Sequence, residues 1–581
     1  MNIVPGWIRS YQKSWLSGDV VAGVIVTVML IPQSLAYALL AGLPPEMGLY
    51  ASMLPIMAYA LLGSSMTLAV GPVAVVSLMT ASALQPLAAA GSADYVHLAM
   101  LLALLSGGML LLFGALRLGF LAHFLSHPVI SGFISGSAIL IAVGQIKHLL
   151  GVKAGGANVL DTLTQLAQAV PRTNGVTFGI GAGSVLFLLF ARKYLAPLLV
   201  GTGANPNLAD IASRLAPMLA VIVSTAMVAA LRWDQTAGVS IVGAVPQGLP
   251  TLALPGVSLT AIGPLWLPAL LISMVGFVES VSVAQSLALK RQQRITPNRE
   301  LLGLGAANLA SALSGGFPVT GGFARSVVNF AAGANTPLAG VISALLMGVV
   351  IAALTGLFHY LPHAVLAATI IVAVVSLIDV QTLREAWHYD KADAMSLLAT
   401  AAGVIALGVE EGILIGVALS LGTLVWRSSH PHIAVVGRVP GTEHFRNVAR
   451  HAVTTEPGLI AVRVDESLYF ANSDALLDTV ESLVLAQPDT RYVLLVCSAI
   501  NQIDTTALGV LTDLERSLGQ RGMALLLAEV KGPVLDRLQN TPLGQRLQGK
   551  VFLSTHAAFE FVRLNAAVQP SSADKVASAF V

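Results

Sequence analysis

An arginine and a glutamate set inside apolar runs are the residues of this chain best suited to chemistry. Arg325 stands in GGFARSVVNF, and Glu279 stands in LLISMVGFVESVSVAQSLAL with no cationic neighbour within a turn. Ionisable groups at membrane depth are costly, and they mark functional sites. Either charge alone is expensive there, whereas the pair with an anion nearby is tolerated. A guanidinium keeps its charge and suits an oxyanion better than an ammonium does. Arg325 therefore has two candidate jobs: direct contact with an anion, or positive potential while Glu279 holds it in place.

Two interrupted helix starts, about 250 residues apart, supply the rest of the chemistry. Gly71-Pro72 opens the run VAVVSLM, and Gly321-Gly322 opens FARSVVNF. A helix start exposes unpaired N–H groups, and these attract anions. The expected donors are the N–H groups of Val73, Ala74 and Val75 at the first start. At the second they are those of Phe323 and Ala324, with the Ser326 hydroxyl. Two such starts in corresponding halves of a membrane protein predict a central anion site. Gln33 follows Pro32 in the first apolar run, where proline opens one backbone carbonyl. It is expected to donate its amide to the same site. Glu46, in AGLPPEMGLY, is a carboxylate partly withdrawn from water and a candidate proton carrier.

These residues need a membrane scaffold, and the composition provides it. Of 581 residues 55% are hydrophobic and only 10% are charged, against roughly 25% charged in soluble proteins. Fourteen apolar segments lie near 20–41, 49–62, 68–86, 98–116, 128–147, 175–191, 215–231, 262–286, 300–314, 322–333, 338–356, 364–378, 395–409 and 411–426. A membrane helix needs about 20 residues. The short segments 49–62, 300–314 and 322–333 therefore read as half-helices joined to extended backbone inside the protein. Gln33 precedes the first start by about 40 residues and Glu279 precedes the second by about 43, as an inverted repeat would produce.

With the N-terminus inside, the basic loops fall on the cytoplasmic face. They hold Arg192, Lys193 and Arg214 after the sixth segment, Lys290, Arg291, Arg294 and Arg299 after the eighth, and Arg384 and Lys391 after the twelfth. Lys147 and Arg232 are minor exceptions, and the C-terminus returns to the cytoplasm beside Arg427. No signal peptide is evident, because Arg9, Lys13 and Asp19 precede the first apolar run without a cleavage-like site. The single cysteine, Cys497, excludes an intrachain disulfide framework.

No metal-ligand spacing and no phosphate-binding loop of the GxxxxGK[ST] type occurs, so no metal, ATP or other cofactor is expected. Glu410 and Glu411 read as a wetted turn, and His123 and His127 as loop residues. The net charge of +2 gives no reason to expect a nucleic-acid partner. The expected function is transport driven by a gradient or by exchange, not enzymatic catalysis.

Near residue 430 the texture changes. LIAVRV, YVLLVC and MALLLAEV read as buried strands, with helices over 473–487, 505–520 and 533–547. That alternation predicts a separate α/β domain. The division is 1–430 for the membrane part, 431–570 for the α/β domain, and 571–581 for a tail.

The run IPQSLAYALLAGLPPEMGLYAS at 31–52 resembles the first-helix signature of the sulfate permease (SulP) family. GPVAVVSLM at 71–79 resembles its third helix, and TGGFARSVVNFAAGANTPLAG at 320–340 its tenth. The resemblance implies an α-helical membrane protein of fourteen segments in two inverted repeats of seven, split into core and gate domains. It implies a homodimer in the cell membrane, inner membrane in a bacterium, with an elevator-like cycle. It matches Gln33 to the polar ligand on helix one, Arg325 to the arginine on helix ten and Glu279 to the acidic residue on helix eight. Glu46 is matched to the proton-coupling glutamate of bacterial members.

The family's bicarbonate transporters hold sodium with an aspartate and hydroxyls on helix eight. Here Glu279 is followed one turn on by Val283, which favours protons. The expected function is proton-coupled sulfate uptake. Bicarbonate or C4-dicarboxylate transport and anion exchange are the nearer alternatives; an anion channel, or a membrane sensor acting through its tail, belongs to another class. The tail resembles a cytoplasmic STAS domain. Ile503-Asp504-Thr505-Thr506-Ala507 matches the loop that opens a helix after a central strand. There the Asp504 carboxylate, or the hydroxyl of Thr505 or Thr506, is expected to cap the helix; regulation by phosphorylation or a partner protein is the alternative.

Overall fold

Apolar composition becomes helix wherever the backbone must satisfy its own hydrogen bonds in a lipid environment. In the computed structural model the described residues are 5–123, 126–154, 159–203, 205–206, 209, 212–213, 215–256 and 259–568. Arg214 and the proposed tail 571–581 lie outside them. The chain divides into two compact units, Met1–Ser420 and Leu421–Val581.

The first unit is a helical bundle, and among the described residues eight helical stretches are long and apolar enough to cross a membrane. The others are shorter, as at Ala74–Leu84 and Phe323–Ala331. The segment expected at 49–62 is two helices, Pro45–Tyr50 and Leu54–Leu62, because each of Pro45 and Pro55 fits only a first helical turn. The eighth segment is longer than its apolar core and runs Leu259–Lys290. Glu410 and Glu411 are not a turn. They form the first turn of helix Val409–Ser429, where carboxylates meet the positive end of the helix dipole.

Small residues let helices from distant parts of the chain approach closely. A Cβ at Gly107 would lie 2.8 Å from Leu309 N and one at Gly305 2.9 Å from Leu111 N, which seats Ala93–Ala115 against Pro297–Leu313. Gly132 and Gly136 bring His127–Leu150 equally close to the backbone at Leu397 and Ala401.

Two large hydrophobic clusters fill most of the bundle. One gathers Leu84, Leu101, Phe277 and Phe317. The other gathers Leu30, Leu188, Val221 and Leu366.

The second unit is an α/β fold with one six-stranded sheet. The three expected strands sit side by side and parallel: Leu459–Val464, Tyr492–Val496 and Ala524–Ala528. Ile433–Arg438 and Phe445–Asn447 extend one edge antiparallel, and Val551–Phe552 extends the other. These edge strands are short or carry charges and lack the continuous apolar signal of central strands. The helix expected at 533–547 is two, Gly532–Gln539 and Pro542–Arg546; Pro542 starts the second.

Candidate functional site

The two helix starts are stitched to each other. Val70 and Gly71 pair antiparallel with Gly321 and Thr320, and helices Ala74–Leu84 and Phe323–Ala331 follow. Gly322 N–H donates to Ala69 O at 3.1 Å. Ala69 N–H donates to Ser326 Oγ at 2.9 Å, and Asn329 Nδ2 donates to Thr67 O at 3.0 Å.

Two buried relays then fix the second strand. Gly321 N–H donates to Ser280 Oγ, Ser280 shares a hydroxyl hydrogen bond with Thr320, and Thr320 Oγ1 donates to Gly276 O. Asn308 takes Val319 N–H on its Oδ1 and gives its Nδ2 to Val319 O, both at 2.9 Å. Buried polar groups that are fully paired in this way hold one geometry.

That geometry sets the first turns of both helices along a cavity of about 320 Å³. Gln33, Val73, Ala74, Val75, Glu279, Phe323, Ala324 and Arg325 all line it, so eight of the sequence candidates come together. Six of them come from the two helix starts that meet at the pleated pair, while Gln33 and Glu279 come from the interiors of helices Leu16–Leu40 and Leu259–Lys290. Arg325 is 3% exposed, and neither terminal guanidinium nitrogen has a hydrogen-bond partner. Glu279 Oε2 is likewise without one. The Glu279–Arg325 staple is therefore not made; both groups face the cavity uncommitted.

The guanidinium lies against the two glycines. A Cβ on Gly71 would approach Arg325 Nη1 to 2.8 Å, and one on Gly322 would approach Nη2 to 3.0 Å. Gly71 also holds φ +154°, which few other residues adopt. Glycine at these positions thus leaves room for the arginine as well as opening the helices.

Ser326 behaves differently from its neighbours. Its hydroxyl donates to Gly322 O and accepts from Ala69 N–H, so it ties the two starts together and is not among the cavity residues. Glu46 is also outside the cavity lining, on the first turn of Pro45–Tyr50. That helix nevertheless docks beside Gln33. A Cβ on Gly48 would lie 1.9 Å from Ser34 O, and Ser34 and Ser52 share a 2.6 Å hydroxyl hydrogen bond.

Several lining residues were not foreseen, Tyr37 and Arg192 among them. Tyr37 stands one turn beyond Gln33 on the same helix face, a signal the sequence contained. Arg192, assigned to a loop, belongs instead to a π-helical turn, Ala191–Leu195, that continues helix Gly175–Phe190.

In the α/β unit, Asp504 caps helix Thr505–Gln520 by accepting from Ala507 N–H at 2.8 Å, and it also accepts from Phe470 N–H. Thr505 and Thr506 are exposed on the first turn and are not the capping groups.

The profile of the sulfate permease family matches residues 16–400, and that of the STAS domain matches 451–558. The chain belongs to the sulfate permease family. As a member it is a membrane transporter, not an enzyme, and its second unit is a STAS domain. Sulfate transporter 4.1, chloroplastic, of Arabidopsis thaliana is 35% identical over 97% of this chain and 81% of its own length. A probable sulfate transporter of Mycobacterium tuberculosis is 36% identical over 96% of this chain and 97% of its own. The murine Solute Carrier 26 family member A9 anion transporter, in an inward-facing state, shares the fold. Its TM-score is 0.88 at 22% identity, over 97% of this chain and 94% of that one. The transmembrane domain of a cyanobacterial bicarbonate transporter gives 0.59 at 25% identity, over 71% and 98%.

Proposed function

We propose that this sulfate permease family member takes up sulfate, with protons as co-substrate, by an elevator-like movement of its core against its gate. The observation that carries the reading is the buried guanidinium of Arg325, whose terminal nitrogens lack protein partners beside two opposed helix starts. A tetrahedral dianion supplies oxygens to both kinds of donor at once: the arginine fork and the first-turn N–H groups of Val73, Ala74, Val75, Phe323 and Ala324. Gln33 contributes its amide, and Ser326 keeps the two starts in register.

Glu279 offsets part of the arginine charge when the site is empty. Its protonation on loading would leave the arginine to the anion, which is a physical route to coupling. Glu46 is the second coupling group, acting through the helix that docks at Ser34. The names of the relatives at 35% and 36% identity support sulfate as the substrate.

The same reading places the protein in the cell membrane, in lipid, with both termini in the cytoplasm. It assembles two copies and divides the chain at about 430, with the STAS domain open to a regulatory partner at Thr505 and Thr506.

The test is competition in proteoliposomes. Labelled sulfate uptake should rise with an inward proton gradient, saturate, and be inhibited by sulfate more strongly than by bicarbonate, fumarate or chloride. A higher rank for bicarbonate or fumarate would replace the substrate. Non-saturating flux would make the protein a channel, and stimulation by sodium in place of protons would overturn the coupling.

A further inference from the structure

A second cavity, of about 380 Å³, adjoins the helix-start site. Gln33, Arg192 and Ala373 line both, so these three form the shared wall. Among the described residues Arg192 is the only charged one lining the second cavity, whose other walls are mostly apolar, among them Leu188, Pro217 and Val372. The hydroxyls of Thr369 and Ser213 there already donate to Leu366 O and Ala191 O.

Arg192 itself has one long contact, Nη1 to Val372 O at 3.5 Å, and is exposed. Its fork is thus largely uncommitted. One cation between low-dielectric walls, with no carboxylate among the described residues lining this second cavity, focuses a positive field on the space in front of it. The residue reaches this wall from a π-helical turn, a local feature that recurs at functional sites. Ser213 Oγ donates at 2.9 Å to the carbonyl of Ala191, the first residue of that turn.

We propose that the second cavity is an antechamber for the oxyanion and that Arg192 receives the anion there before it reaches Arg325 and the helix starts. The proposal rests on the oxyanion reading above. It assigns Arg192 to recognition on the way in, from one membrane face, and leaves the central site to the other groups. A multi-oxygen dianion can be held by one guanidinium fork at a time and passed across Gln33 to the next.

The experiment is the KM for labelled sulfate, measured by uptake and by efflux, in proteoliposomes of uniform orientation. Arg192→Ala should raise KM about 5–10-fold from one face only, with the maximal rate within about twofold, the size of one partly screened charge. Arg192→Glu should raise it further, and Arg192→Lys should restore most of it. The dependence of KM on ionic strength should flatten in Arg192→Ala, because the steering charge has gone. An unchanged KM, an equal rise at both faces, or a fall in maximal rate alone would overturn the antechamber. Failure of the unmodified protein to take up sulfate would instead refute the sulfate reading. The Arg192 series is then run with bicarbonate and judged by the same outcomes.

Discussion

Glu300 and Glu279 are carboxylates of the same helical unit in opposite circumstances. Glu300 has no exposed surface and accepts four hydrogen bonds. Tyr59 Oη donates to one oxygen at 2.6 Å; Ser64 N–H, Ser64 Oγ and Ser65 N–H donate to the other. Asp19 is alike: fully buried, it accepts from Asn335 N–H, Thr336 N–H and Thr336 Oγ1. Both anchor the linkers that bracket the helix starts, Ser64–Ser65 ahead of Val70 and Asn335–Thr336 behind Ala331. Glu279 and Arg325 instead keep atoms with no partner. A buried charge whose hydrogen bonds are complete is scaffold; one left incomplete still has donor or acceptor atoms open to a ligand.

The largest effects should separate these two classes. Arg325→Ala should weaken sulfate binding by about 100-fold or more, since a charge-assisted fork is lost, while the protein still elutes as a folded dimer. Binding by titration on purified protein checks it, and unchanged affinity and flux would return Arg325 to a stapling role. Glu300→Ala should do the reverse. It strips partners from buried donors at about 1–3 kcal/mol each, so the thermal midpoint and yield should fall sharply. The protein that survives should keep its KM. A stable Glu300→Ala with altered affinity would break the comparison.

A smaller effect is expected where scaffold meets site. Gly322→Ala places a methyl 3.0 Å from Arg325 Nη2 and 3.1 Å from Nε. The displaced guanidinium should weaken binding about tenfold. Gly108→Ala, in a helix with nothing within 4 Å of the new methyl, is the matched control and should change neither affinity nor fold. Equal effects of the two would deny that the glycine makes room for the arginine.

Glu46→Gln comes next. It mimics the protonated carboxyl, so sulfate binding should stay within about threefold, but uptake should lose its dependence on an inward proton gradient. Uptake across a series of external pH values measures this. Stimulation at acidic pH equal to that of the parent would leave coupling to Glu279 alone.

The smallest change should follow removal of the chain beyond about residue 440. Every cavity residue precedes 378, so the ranking of competing anions should stay the same and only the rate should fall. A reordered ranking would bring the STAS domain into selectivity. The released domain has its own apolar core, and its folding can be followed at Cys497. Burial pushes that thiol up to about 12, so it should react with a maleimide at neutral pH only after denaturant is added.

Much of this was legible in local pattern. Arg325 and Glu279 stood out because charge inside an apolar run has few explanations, and Gly71-Pro72 and Gly321-Gly322 because they interrupt such runs. The central strands Tyr492–Val496 and Ala524–Ala528 are continuous apolar runs, and Leu459–Val464 is interrupted only by Arg463. Arg192 was missed because a π turn leaves no mark in hydropathy. Placed after an apolar run, an arginine reads as a loop cation until its neighbours in space are known. Glu300 was missed for a related reason. It opens helix Pro297–Leu313 at a segment boundary, where a carboxylate is ordinary.

The sequence by itself determined the membrane class, the α/β tail, the two helix starts and the charged residues at one of them. All of these follow from residue type over windows shorter than one helix, where hydropathy and backbone geometry act. Tertiary structure alone decided that the starts pair as strands, that Asn308 and Ser280 hold one of them, and that Arg325 and Glu279 share a cavity without bonding. It also decided that Arg192 lines a second cavity. Those outcomes depend on partners tens to hundreds of residues away, as with Ala69 and Ser326. Hydrogen bonds of that range are fixed by packing, because a short stretch of sequence names a donor but not the acceptor that will reach it.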